Sequence, residues 1–344
     1  MKYIFEDVLE IKNGKNQKAV ENSEGKYPIY GSGGVMGYAD DYICDSDTVI
    51  IGRKGSINNP IYVTERFWNV DTAFGLSAKR ELLLPRYLFY FCKKFNFEKL
   101  NKTVTIPSLT KSDLLKIKID LPAIPKQQEV VERLSKIETV INVRRQELSA
   151  LDELIKARFV EMFECGEQEI VRASDICNFI TKGTTPPTGE ITEEYVEGKI
   201  PFLKVYNLSF TGEMLFDENP QYIPRETHNG RLARSKVYPN DVLMNIVGPP
   251  LGKFALVTDE FEEWNINQAI AIFRAKERIL PRFLLQALMQ PKVLEPFIGQ
   301  AVGIRQQNLS LEQCRNLQFP LPSLEEQKSF VEFADQVDKS KFIC

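Results

Sequence analysis

Two mixed α/β modules in tandem, each followed by a helix with coiled-coil patterning of which the second is short, are what this sequence predicts, in the α+β class. Three observations carry that reading. The chain has 344 residues, too many for one ordinary domain. Dipeptide anchors recur in one order about 200 residues apart, and one unbroken apolar seam runs through the middle of the chain. The predicted division is 1–125 for the first module, 126–164 for the long helix, 165–322 for the second module and 323–344 for the short helix.

The repeat comes first, because it decides the architecture. Asp47 with Val63-Thr64 matches Asp241 with Val257-Thr258 at an offset of 194. The only tryptophans, in Trp68-Asn69 and Trp264-Asn265, match at 196, as do Leu84-Pro85-Arg86 and Leu280-Pro281-Arg282. Leu109, Leu121-Pro122 and Gln127 match Leu309, Leu321-Pro322 and Gln327 at 200. Small steps in the offset are what loop insertions do to two copies of one fold.

Within each copy, β-branched and aromatic runs such as TVII, PIYVT, VLMNIV and FALVT, punctuated by Gly, Asn and Pro, predict short strands joined by tight turns. RYLFYFCKKF and RFLLQALMQ have helical apolar spacing after their Leu-Pro steps. Thr110 with Asp113, and Ser310 with Gln313, place a hydroxyl at the N-cap and an acceptor at N3 of a further helix. The two tryptophans lie in β-rich stretches and are expected in the core rather than stacked on bases.

From Lys126 to Phe163 the apolar positions Val130, Leu134, Ile137, Ile141, Leu148, Leu151, Ile155 and Met162 follow a 4-3-4-3 spacing, with Arg144 and Arg158 interrupting the seam. No Gly or Pro falls inside it. A helix of that length extends about 57 Å. The second copy starts the same seam with Phe330, Ala334 and Val337 and ends at Cys344. Aligned by the repeat, the short helix is expected to cover only the first part of the long one. That leaves Leu148, Leu151, Ile155 and Met162 for another chain.

Composition narrows the chemistry. Charged residues make up 26% and hydrophobic ones 43%, with a formal net charge of -3, as in a water-soluble globular protein. No apolar run approaches the roughly 18 residues of a membrane span, so neither membrane insertion nor secretion is expected, and the cytoplasm is. Six cysteines without a CxxC pair, and the single histidine His228, argue against a zinc or histidine-based centre. His228 itself, in HNGRLARSK, reads as part of a solvated basic loop. The sequence contains no GxGxxG, GxxxxGK[ST] or HExxH, and GPPLG at 248–252 lacks the Asn and aromatic residue of an adenine methyltransferase signature.

What remains are polar, glycine-rich loops. The first module offers Lys15, Lys18, Ser32, Arg53, Lys54, Ser56 and Asn58; the second offers Lys182, Thr184, Thr185, Lys204, Asn207, Arg231, Arg234, Lys253, Arg305, Gln306 and Gln307. Such side chains serve phosphates and base edges. Any one of these loops taken alone is an ordinary turn with solvated charges. Their recurrence in two tethered modules is what points to DNA.

Three segments then carry a family resemblance. They are KNGK with GKYPIYGSGGVMGY, KGTTPPT with GKIPFLKVYN, and TIPSLTKSDLLKIKIDLPAIPKQQEVVERL echoed by RQQNLSLEQCRNLQFPLPSLEEQKSFVEF. In this order the chain resembles, over essentially its whole length, the specificity subunit of type I restriction-modification systems. The resemblance implies two target-recognition domains, each reading one half of a split site on double-stranded DNA. It implies helices that pair antiparallel and set the gap between the half-sites, and no catalysis by the chain itself. S-adenosylmethionine would belong to two docked methyltransferase subunits, and ATP and Mg to restriction subunits recruited through the complex. The departure is the short second helix, which puts methyltransferase docking beside it in doubt and leaves room for pairing with another specificity chain through Leu134, Ile137, Ile141, Leu148, Leu151, Ile155, Met162, Phe330 and Val337. The rival readings are an interaction scaffold that ignores DNA and an inactive, phase-variable truncated allele.

Overall fold

The computed structural model describes residues 1–101, 106–164, 166, 168–248, 250–298 and 307–343. They form two compact units, Met1–Val143 and Arg144–Cys344. In the first, β1 (Leu9–Asn13), β2 (Tyr27–Gly31), β3 (Gly34–Ala39), β4 (Thr48–Gly52), β5 (Ile61–Val63), β6 (Trp68–Asn69) and β7 (Ala73–Ala78) precede helix α1 (Pro85–Lys94). The main sheet is antiparallel in the order β1-β7-β4-β5. Its centre is β4, buried along its whole length, which is why a TVII run without polar alternation is a strand here. A second sheet has the order β3-β2-β6, with β2 and β6 parallel.

The second unit repeats this plan with β8 (Cys177–Lys182), β9 (Ile200–Leu203), β10 (Val242–Asn245), β11 (Phe254–Leu256), β12 (Trp264–Ile266) and β13 (Ile270–Ala275). Its main sheet runs β8-β13-β10-β11, again antiparallel. Strand β9 pairs parallel with β12, the second Trp-Asn strand. The copies diverge between β9 and β10, where the short strands Tyr222–Ile223 and Lys236–Val237 and the helical turn Arg225–Asn229 are added. The repeat of dipeptides is therefore a repeat of strand order.

Helix α1 and its counterpart α3 (Pro281–Leu288) both start with proline at the first turn, where its missing N–H costs nothing. Each lays an apolar face on its sheet, Leu88 and Phe89 over Val49, Ile51 and Phe74, and Phe283, Leu284 and Leu288 over Val242 and Phe273. Thr110 and Ser310 cap the next helical turns through the N–H groups of Asp113 and Gln313. The long helix α2 spans Ile124–Phe163 and the last helix, α4, spans Leu324–Ile343. No helix among the described residues is long and apolar enough to cross a membrane.

A buried glutamine locks each helix start to its own module. Gln127 accepts the Leu84 N–H at 3.0 Å and donates to the carbonyls of Leu82 (2.8 Å) and Pro122 (2.9 Å). Gln327 does the same with the Leu280 N–H (2.9 Å) and the carbonyls of Arg278 and Pro322 (both 3.0 Å). Three turns further on, Arg86 reaches Glu138 at 3.0 Å, and Arg282 reaches Asp338. Burial works against the Glu138 charge, but hydrogen bonds from Lys93 and Tyr90 hold its carboxyl below the usual range.

The pairing of the helices corrects one expectation. Helix α4 runs antiparallel along the second half of α2, with Phe330 against Phe159 and Phe163, Phe333 beside Arg158, and Lys341 bonded to Asp152 at 2.5 Å. Ile155 is buried and Leu151 and Met162 pack on the same core, so the stretch expected to be bare is covered. Ile137, Val140, Ile141 and Val143, in the first half of α2, are exposed together; in the second half Leu154 is exposed, with Leu148 and Val160 at the border. Phe159 and Phe163 lie off the heptad seam; Leu151, Ile155, Phe159 and Phe163 form an i, i+4 row because this half of α2 faces α3 as well as α4.

The glutamine lock predicts a stability difference between neighbours. Gln127→Leu leaves a buried N–H and two carbonyls unpaired and is expected to cost about 2–4 kcal/mol, whereas Gln128→Leu, at an exposed position, costs under about 0.5 kcal/mol. Urea unfolding of the two variants checks this; equal midpoints contradict it.

Candidate nucleic-acid interface

In both units the polar loops hang from the turn that follows the Trp-Asn strand. Trp68 is buried and its indole N–H donates to the Lys15 carbonyl at 3.0 Å. Asn69, fully buried, donates to the Ala73 carbonyl and accepts from the Cys44 thiol. Around this turn the backbone binds three loops. The N–H groups of Gly14 and Lys15 reach the carbonyls of Ala73 (3.1 Å) and Asn69 (3.0 Å), that of Val70 reaches Tyr30 (3.0 Å), and that of Arg53 reaches Thr72 (2.7 Å). Gly14 is obligatory here, since a Cβ would stand 1.8 Å from the Val70 carbonyl oxygen. Ser32 packs on Gly52, the residue before Arg53.

The second unit is built the same way around residues 265–270. Trp264 and Asn265 are fully buried; the Asn265 amide bridges Ser235 (2.9 Å), the Leu232 carbonyl (3.2 Å) and His228 Nδ1 (3.0 Å). Gly183 donates to the Ile270 carbonyl, and a Cβ there would lie 2.2 Å from the Asn267 oxygen. Thr184 accepts from Arg234 (3.2 Å), Thr185 accepts from the Gln268 N–H (3.4 Å), and the Asn267 N–H reaches Leu203, beside Lys204. Strand Gln307–Asn308 pairs with Val247–Gly248.

Lys15, Ser32, Arg53 and Lys54 thus gather at one turn, and Lys182, Thr184, Thr185, Lys204 and Arg234 at its counterpart. Lys18 and Arg231 are exposed, and Lys253 lies over the Phe210 ring at 5.6 Å. Ser56 is exposed, with its carbonyl against Gly52. Two candidates are engaged in holding structure. Asn58 ties its loop to the next turn by accepting from the Phe97 N–H at 2.7 Å, and Asn207 is buried, bonded to the Lys204 N–H and the Leu215 carbonyl. Arg305 and Gln306 lie outside the described residues.

The cations of these loops are not held in ion pairs, unlike several that fix the frame. None of Lys15, Lys18, Arg53, Lys54, Lys182, Lys204, Arg231, Arg234 and Lys253 has an ion-pair partner among the described residues. Arg86, Lys93, Arg274, Arg282, Arg278 and Lys341, by contrast, are all paired. No group of His, Cys, Asp and Glu that could hold a metal occurs among the described residues.

His228 overturns its expectation of a solvated loop, because it is fully buried. Its Nδ1 faces Asn265, and its Nε2 lies 3.5 Å from Glu263. Burial, with Lys236 next, lowers its pKa below the ordinary 6.5. The histidine repeat partner is absent from the first module, so the added segment 204–241 had no sequence counterpart from which this burial could be read. A lowered native pKa means that the unfolded chain binds the proton first. The second unit should therefore lose stability as pH falls from about 6.5 toward the lowered value, and His228→Gln should flatten that slope. Thermal unfolding between pH 7.5 and 5 measures it; an unaltered slope in the variant contradicts it.

Comparison with known proteins agrees with this plan. The profile of the type I restriction modification DNA specificity domain matches residues 2–153 and 166–343. The chain is 23% identical over 316 residues to the type I restriction enzyme MjaVIII specificity subunit of Methanocaldococcus jannaschii, covering 87% of this chain and 74% of that one. It is 22% identical over 324 residues to the EcoBI specificity subunit of Escherichia coli, covering 85% and 66%. The crystal structure of a type I restriction-modification S subunit from M. genitalium has the same fold, with a TM-score of 0.56 and 19% identity over 99% of this chain and 90% of that one.

Proposed function

Since the chain belongs to the type I restriction modification DNA specificity family, we propose that it is the non-catalytic specificity subunit of a cytoplasmic restriction-modification complex, with each module reading one half of a bipartite duplex site. Two methyltransferase subunits would dock on it and carry S-adenosylmethionine, and restriction subunits joined through them would carry ATP and Mg2+. The observation that supports DNA reading best is the set of unpaired cations around two equivalent Trp-Asn turns. Their loops are held through backbone hydrogen bonds, so the side chains are left to contact phosphates and base edges. Phosphate contacts would fix register, and bidentate base contacts would discriminate at about 1–3 kcal/mol each.

The helices supply the second part of the reading. Ile137, Val140 and Ile141 are exposed on the first half of α2. Beside them, Tyr87, Phe91, Val130 and Leu134 line an open groove between α1 and α2. By the repeat, this groove corresponds to the place where Phe159 and Phe163 sit on Phe283 and Phe330 in the second unit. A helix from a second polypeptide is the matching occupant.

A mobility-shift titration on randomised duplex, with the chain alone and with a cognate methyltransferase subunit, tests both parts. Arg53→Ala and Lys54→Ala are each expected to weaken binding and to lower the slope of log K against log salt by about 0.9, one phosphate's worth. Ile141→Glu is expected to weaken the complex with the second polypeptide and leave that slope alone. Unchanged salt dependence in both loop variants would remove that loop from the interface, and modules that ignore duplex in every state would leave a scaffold.

A further inference from the structure

We propose that Met36 is a specificity contact on a thymine methyl group, made by the ribbon of β2 and β3 in the major groove; the inference rests on the DNA-reading function proposed above. In this ribbon Ile29 faces Gly37 while Tyr30 faces Val35, so Met36 is the extra residue of a β-bulge. A bulge re-aims one side chain out of the strand's alternation. The sulfur of Met36 is brought across Gly31, where an added Cβ would stand 2.6 Å from it. Even so, Met36 stays 62% exposed and Val35 53%.

The surroundings select the partner. Gly31 leads into Ser32, which packs on Gly52, and Gly52 leads into Arg53, whose guanidinium has no ion-pair partner among the described residues. An exposed apolar side chain beside an unpaired cation matches a surface that offers phosphates and a methyl group within a few ångströms of each other. The thymine C5-methyl is the apolar group that a DNA major groove presents. That groove, about 12 Å wide, admits a two-stranded ribbon. Strand β3 is at the edge of its sheet, and at the tip neither Gly33 nor Gly34 has another protein atom within 4 Å of where a Cβ would be. The tip and Met36 are thus presented outward together, and a methionine adapts its shape to the methyl it covers.

The test removes the methyl and nothing else. The full chain with a cognate methyltransferase subunit selects its site from randomised duplex, and each thymine of that site is then replaced singly by deoxyuridine. One thymine in the half read by the first module should prove sensitive, with binding weakened about fourfold, the worth of one buried methyl. Met36→Ala should bind the thymine site about fourfold more weakly, be indifferent to the replacement and keep the wild-type salt slope, while Met36→Leu should retain the sensitivity. A site with no methyl-sensitive thymine in that half, or a sensitivity that persists undiminished in Met36→Ala, overturns the inference and leaves DNA reading standing. Selection of no sequence at all overturns the proposed function and this contact with it.

Discussion

Each module depends on one buried glutamine. Gln127 and Gln327 use both ends of the amide, accepting one N–H and donating to two carbonyls, to join three segments: the residues before the Leu-Pro helix, the Leu-Pro step after the last strand, and the first turn of the following helix. An apolar residue of the same volume would fill the space but strand three backbone groups, so the position admits little else. The bond from Arg86 to Glu138, repeated from Arg282 to Asp338, fixes the helix a second time three turns on. Two fixed points determine the direction of a rigid helix. In each unit the helix and its module therefore act as one body.

The Trp-Asn turn is the complementary constraint at the sheets. Its Trp-Asn residues are buried, and in the first unit the turn holds the surrounding loops largely by their backbone. Backbone anchoring leaves side chains such as Lys15 and Lys54 without structural duties, so their identity can change without loss of the fold. That division suits the DNA contacts proposed for these loops.

Much of the frame was legible from residue identities. The offsets of Trp-Asn, Leu-Pro and Gln mark residues that perform the same bonds twice, and the Thr110 and Ser310 caps sit where their spacing places them. The helix pairing was not legible. A heptad count assumes one partner helix, whereas the second half of α2 meets α3 and α4 at once, and its core became the i, i+4 row through Phe159 and Phe163. Matching copies by offset also gave no account of chain direction, which is antiparallel. At the candidate interface, composition picks out loops but cannot separate exposed Lys54 from Asn58 and Asn207, whose amides hold backbone. Nor does a residue list reveal a bulge, so nothing in the sequence singles out Met36. The burial of His228 comes from an insertion found only in the second copy, where basic neighbours in sequence disguise a buried setting among Asn265 and Glu263.

The central claim is that the two modules read two separate half-sites. It is tested most directly by mapping methylated adenines in DNA from cells that carry the chain with its methyltransferase subunit, before and after the loops at residues 30–34 and 52–59 are exchanged for those of another specificity chain. The account predicts a bipartite motif in which the exchange rewrites one half and leaves the gap and the other half as they were. A continuous motif, or an exchange that rewrites both halves together, would contradict it.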